Sequence, residues 1–126
     1  MMPSRSRIAA VAVLSLRVAY GAGLIAAPER LARRWLGPTA ADAPVQVALR
    51  GLGGREVAVH GLAIAAALRG APVRPLLGVS IAGDLSDIAA TAAGRRGLPS
   101  GSAPATLAVA GGSALVTAAV AAVVDR

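Results

Sequence analysis

The sequence predicts an all-α integral membrane protein, a bundle of four transmembrane helices with a short interfacial helix after the first. Hydrophobic residues make up 56% of the 126 residues and the mean hydropathy is +0.66, which is high for a soluble chain. The apolar residues fall in runs of about twenty, the length at which a helix spans the hydrocarbon core of a bilayer. Strand-like alternation is absent. We expect residues 1–126 to form a single integral membrane domain.

The first helix is predicted for residues 8–27, an apolar run that is interrupted only by Arg17. This charge and the following Pro28 disfavour a cleaved signal peptide, so we expect the helix to remain in the protein. The segment PERLARRWLGP begins at Pro28 and can place Leu31 and Trp35 on one face while its arginines meet water. This pattern is typical of a short interfacial helix in which the tryptophan anchors the membrane interface.

The other three helices are bounded by turn signals. Asp42 and Pro44 indicate the start of the second helix, because proline is favoured in a first helical turn. Gly and Pro between Arg69 and Arg74 predict a turn, and a Gly/Ser/Pro loop precedes the last helix. The loop arginines are divided equally between the two sides, so the positive-inside rule does not fix the orientation. The predicted ranges are 45–68, 75–93 and 105–124.

Charge and cysteine content exclude several classes of function. The net charge of +7 comes entirely from arginine, but no basic face with stacking aromatics is present, so we expect no nucleic-acid partner. Arginines in the loops are expected to meet anionic lipid headgroups of the bilayer. Cysteine is absent, which excludes disulfides, thiolate metal sites and a cysteine nucleophile. A soluble Ala-rich bundle would need amphipathic helices with one polar face toward water. The last helix has no such face, which disfavours this alternative.

Ionisable residues recur at one depth in the first three predicted helices, whose midpoints fall near Val18, Glu56 and Asp84. Residues at helical spacing share a face, and antiparallel helices also make an Arg50–Asp87 pair natural. We therefore predict a polar cluster in the bundle centre, because an unpaired charge in the membrane is costly. Its candidate catalytic residues are Glu56, Asp84, Asp87, Arg55 and His60, and its candidate binding residues are Arg17, Tyr20, Arg50, Ser80 and Thr91.

Small residues are expected to let the helices approach closely where bulky aromatic residues are lacking. In the second helix these are Gly51, Gly53 and Gly54. In the last helix they form a stripe at helical spacing, which we expect to serve packing. The stripe consists of Thr106, Ala110, Ser113 and Thr117.

Three functions remain open for the cluster. It could be structural or bind a lipophilic small molecule, or it could belong to an acid/base enzyme for epoxide opening, isomerisation or cyclisation of a lipophilic substrate. It could also belong to a proton or ion transport subunit, which would require a homo-oligomer to complete a path. Whether the protein is an enzyme stays open. A single histidine among arginines disfavours a metal site, and we expect no metal or other cofactor.

The motifs APERLARRWLG, LRGLGGREVAVHGL and GDLSD resemble those of an uncharacterised family of small actinobacterial integral membrane proteins with four predicted helices. The resemblance covers nearly the whole chain. Its marks are the Pro/Arg segment after the first helix, the Gly54-Arg55-Glu56 motif, and the acidic pair Asp84 and Asp87. It implies the four-helix fold and the polar cluster, but it implies no activity. From the predicted spans, we expect a multi-pass protein of the plasma membrane.

Overall fold

The computed structural model describes residues 2–126, and this part of the chain is helical with no β-strand. The all-α prediction is therefore confirmed. Two short 3₁₀ turns, Gly37–Ala41 and Arg95–Gly97, lie between the α-helices. Pro44 occupies the first turn of the third α-helix, as expected from its position. The α-helices are α1 (Arg5–Ala26), α2 (Pro28–Leu36), α3 (Ala43–Leu68), α4 (Arg74–Gly94) and α5 (Ser102–Ala121).

Three helices of the described chain are long and apolar enough to cross a membrane, namely α1, α4 and α5. Helix α3 has sufficient length, but Arg50, Arg55, Glu56 and His60 reduce its hydropathy, and it is not among the three. Large apolar side chains cover much of the outer surface, including those of Leu16, Leu62, Leu85, Leu107 and Leu115. Such an outward apolar surface is what a lipid environment favours.

The long helices are arranged as two close pairs, α1 with α3 and α4 with α5, and contact between the pairs is much sparser. The first pair crosses at Gly21 and Gly53. A Cβ atom added to Gly53 would lie 2.5 Å from the carbonyl oxygen of Gly21, so only glycine permits this backbone contact. Gly51 and Gly54, also expected to serve packing, have open space beside them, and that prediction is wrong for both.

Two apolar clusters lie at opposite ends of the bundle. Between them is a polar layer in which Arg17, His60 and Asp84 are buried. The cluster at the α2 end contains four buried side chains, and the cluster near the chain termini contains seven. The first comprises Leu24, Ala32, Ala40 and Leu49; the second comprises Ala10, Leu14, Ala63, Ala67, Val73, Leu77 and Val124.

The two ends of the chain hold the turn between α3 and α4. The Asp125 carboxylate accepts hydrogen bonds from the backbone N–H groups of Val73 (3.0 Å) and Arg74 (2.8 Å). It therefore caps the start of α4, where the valine side chain cannot do so. The Arg7 guanidinium lies 3.5 Å from the same carboxylate and donates to carbonyl groups that follow α3, including that of Ala71 (3.0 Å).

Candidate functional site

A buried ion pair joins the two helix pairs at the middle of the bundle. Nη1 of Arg17 donates to Oδ1 of Asp84 at 3.1 Å, and Nη2 donates to Oδ2 at 2.5 Å. Nη2 also donates to Oγ1 of Thr117 on α5 at 2.9 Å. Arg17 is 9% exposed and Asp84 8%. The bidentate geometry is the strongest that a guanidinium and a carboxylate form, and the two residues meet as their depth in the helices predicted.

His60 is buried in the same polar layer as this pair and is 1% exposed. Its Nδ1–H donates to the backbone carbonyl of Glu56 at 2.8 Å, and the Glu56 carboxylate lies 3.3 Å from the same nitrogen. Nε2 is 2.8 Å from Oγ of Ser80, which is also 3.1 Å from the carbonyl oxygen of Leu76. The serine hydroxyl has one proton, so it donates either to a neutral imidazole or, when Nε2 carries a proton, to the Leu76 carbonyl. Ser80 and the Leu76 carbonyl can therefore satisfy Nε2 of His60 in both protonation states of the imidazole.

A cleft of about 670 Å³ opens beside the ion pair, between the sparsely contacting α1 and α5. Arg17 and Asp84 form part of its wall, as do Glu56 and Asp87. Asp87 makes no hydrogen bond or ion pair within residues 2–126. Most of the other wall residues are apolar. They include Val13, Leu16, Leu31, Leu52, Val109 and Val116.

Both aromatic residues of the chain, Tyr20 and Trp35, line this cleft. The indole Nε1–H of Trp35 donates to Oγ1 of Thr91 at 2.8 Å, and its backbone carbonyl accepts from Oγ of Ser102 at 2.5 Å. These bonds attach α2 to α4 and α5. The prediction of Trp35 as an interface anchor therefore missed its place in the cleft wall. No sequence pattern indicated this, because Tyr20 and Trp35 lie fifteen residues apart on different helices.

The small residues of α5 form a wall of the cleft instead of a close helix contact. Thr106, Ala110 and Ser113 line the cavity, whereas Thr117 receives the Arg17 hydrogen bond. The packing role predicted for this stripe is wrong for the first three residues. Their spacing identified the correct face of the helix, but small side chains leave space as readily as they permit contact.

Two predicted site residues lie outside the cluster. Arg50 is exposed and donates to the carbonyl oxygen of Ile25 at 3.1 Å, near the end of α1, so the predicted Arg50–Asp87 pair is wrong. Helix ends carry unpaired carbonyl groups, which attract such a cation. Arg55 is also exposed. Adjacent helical residues point about 100° apart, and α3 turns Glu56 toward the cleft and Arg55 away from it.

The remaining predicted residues lie on the inner face of α4. Ser80, Asp84 and Thr91 are buried there, and each bonds to a different neighbouring helix. Within residues 2–126, no three His, Asp or Glu side chains are grouped to hold a metal ion. The site therefore consists of one closed ion pair, one buried histidine and two further carboxylates beside a mostly apolar cleft.

Comparison with known proteins gives no relative from which a function could be inferred. No family model, no curated protein and no solved structure matches the chain.

Proposed function

We propose that the protein is a four-span integral membrane protein of the plasma membrane that binds a lipophilic small molecule in the cleft. The observation that supports this proposal is the cleft. Ligand sites are concave, mostly apolar and supplied with a few convergent polar groups, and the cavity of about 670 Å³ has this character. Its apolar residues suit a hydrocarbon ligand, and its polar groups lie near mid-depth of the helices.

A structural role alone accounts for only part of the cluster. The Arg17–Asp84 pair joins the helix pairs, and His60 is bonded on both nitrogens. Asp87 joins nothing in the described chain. A carboxylate without a partner at the middle of a bilayer costs about 2.5–3.5 kcal/mol on the scale from translocon insertion, which gives lower costs than simulations do. Such a residue in a cavity wall is better explained by a ligand than by stability.

The fourth span in this proposal is α3. Glu56 and His60 face the bundle, and Arg50 lies level with the end of α1, where a membrane boundary is expected. Arg55 is about 7.5 Å further along the helix, and a long arginine side chain can extend that far to the headgroups. From Arg50 to Arg69 the helix is about 30 Å long, which matches the hydrocarbon core.

We expect cysteine labelling to show that α3 crosses the membrane. The chain contains no cysteine, so single substitutions at exposed positions are specific reporters. In membrane vesicles of known orientation, Thr39→Cys and Ser100→Cys should react with an impermeant maleimide from one side, and Pro72→Cys from the other. If Thr39→Cys and Pro72→Cys react from the same side, α3 does not span the bilayer.

Ligand binding can be followed through Trp35, the only tryptophan. Bromine quenches indole fluorescence on contact, so ω-bromoundecyl amphiphiles that enter the cleft should quench Trp35 saturably. We expect Ala110→Phe, which fills the wall, to remove the saturable component. Ala108→Phe is the matched control, since Ala108 is exposed on the same helix and does not line the cleft. Purely linear quenching in the wild type, or equal quenching in both variants, would contradict the proposal.

An acid/base enzyme acting on a lipophilic substrate is the second candidate. It is favoured by the Glu56–His60–Ser80 chain, because Glu56 lines the cleft and its carboxylate is backed by a histidine that can hold a proton. Epoxide opening, isomerisation and cyclisation all suit such a carboxyl group. This role predicts that Glu56→Gln abolishes turnover while saturable quenching of Trp35 remains.

A further inference from the structure

We infer that the occupant of the cleft is a lipophilic organic cation, an ammonium group carried on a hydrocarbon body. This inference rests on the proposed function and names the chemical class of its ligand. Three features of the site support it: the balance of charge, the position of the aromatic residues, and the surface on which the cleft opens.

The charged groups of the cleft leave a negative excess. Two arginines and three carboxylates line it. Arg17 is engaged by Asp84 through both Nη atoms, and Arg34 is exposed on α2, the helix predicted to lie at the membrane interface. Within the described chain, the only ion-pair contact of Glu56 is with His60, and Asp87 makes none. An ammonium group between these two carboxylates would balance one of their two negative charges where water is scarce, and together with Arg34 it would bring the charge of the cleft wall to zero.

The aromatic residues add a second, independent indication. The chain has no phenylalanine, one tyrosine and one tryptophan, and both aromatics lie in the wall that also holds Glu56 and Asp87. Aromatic faces attract ammonium ions through the ring quadrupole, and sites for quaternary ammonium groups are built from such rings. Tyr20 is 45% exposed, so its ring is available to a ligand.

The hydrocarbon body has a place as well. Leu16 of α1 and Val109 and Val116 of α5 line the cleft and are also exposed on the outer surface. The opening between these helices therefore faces the lipid, and a ligand could enter from the bilayer. A carboxylate ligand would meet three carboxylates, whereas a neutral alcohol would leave the excess charge unbalanced.

The test compares three undecyl probes that carry bromine near the middle of the chain and differ only in the headgroup: trimethylammonium, hydroxyl and carboxylate. A headgroup between Glu56 and Asp87 then leaves the bromine within reach of Trp35, whose indole is bonded to Thr91, one helical turn from Asp87. We expect saturable quenching of Trp35 by the trimethylammonium probe at a concentration about tenfold below that of the alcohol, and no saturable quenching by the carboxylate. Asp87→Asn should remove this preference for the cation. Asp42→Asn is the control, because Asp42 is exposed at the start of α3 and does not line the cleft.

The outcomes separate the inference from the proposed function. Saturable quenching by the alcohol or the carboxylate at the same or a lower concentration than by the ammonium probe would overturn the ligand class and leave ligand binding intact. If no probe saturates, the proposed function fails as well. Should Asp87→Asn not fold, Glu56→Gln provides the same comparison. An unchanged preference for the cation in a folded Asp87→Asn or Glu56→Gln protein would also overturn the inference.

Discussion

Asp84→Asn is expected to lower the free energy of unfolding by about 3 kcal/mol, measured by equilibrium unfolding in mixed micelles. The change keeps the shape of the side chain but removes the counter-ion of the Arg17 guanidinium, whose other hydrogen-bonding partner within residues 2–126 is Thr117. Ordinary hydrogen bonds between membrane helices contribute only about 0.6 kcal/mol on average. The larger figure applies here because a buried cation is left without an opposite charge.

Arg17→Met and the double variant complete a double-mutant cycle for the Arg17–Asp84 pair. Removal of both charges should be less harmful than either single change, since no unpaired ion remains. Arg55→Gln is the matched control: this arginine is exposed on α3, and we expect an effect within about 0.5 kcal/mol. An Asp84→Asn protein as stable as the wild type would show that the ion pair does not hold the helices, and a functional role for it would then gain weight.

The Arg17–Asp84 pair also shows how far the sequence could predict the site. Each residue lies near the middle of a long apolar helix, and charges at mid-depth must meet to avoid the cost of isolation. That reasoning holds because α1 and α4 are helices of similar length, Arg5–Ala26 and Arg74–Gly94. It failed for Arg50, because α3 extends several residues beyond the end of α1 and moves this arginine to the level of Ile25. The offset between two helices is not encoded in either one alone.

Helix rotation was the second quantity that the sequence left open. The segment around Glu56 has glycine on more than one face, and only packing decides which face meets α1. Gly53 is the residue in contact, and Gly51 and Gly54 are not. Once Gly53 faces α1, Glu56 turns toward the cleft and Arg55 is directed outward. The cleft itself depends on how loosely the two helix pairs meet, which hydropathy and spacing do not reveal.

Gly53→Ala is expected to be the other strongly destabilising change, at about 3 kcal/mol, the upper end of the range for overpacking. The new Cβ atom would lie 2.5 Å from the Gly21 carbonyl oxygen and 2.9 Å from Cβ of Leu24. These neighbours belong to the backbone and the base of a side chain, so α1 and α3 would have to separate. Equilibrium unfolding in mixed micelles measures the loss.

The same helix provides controls with the opposite expected sign. Within the described chain, Gly51 and Gly54 have no neighbour within 4 Å of an added Cβ, so Gly51→Ala and Gly54→Ala should stabilise α3 by about 0.5–1 kcal/mol through helix propensity. If Gly53→Ala matched these two variants, α1 and α3 would not be packed at this crossing.

Gly21→Ala extends the test to function. Its Cβ would lie 2.7 Å from Cβ of Glu56, so we expect this variant to weaken both stability and the saturable quenching of Trp35. The reason is that the crossing of α1 and α3 also sets the position of Glu56 in the cleft wall.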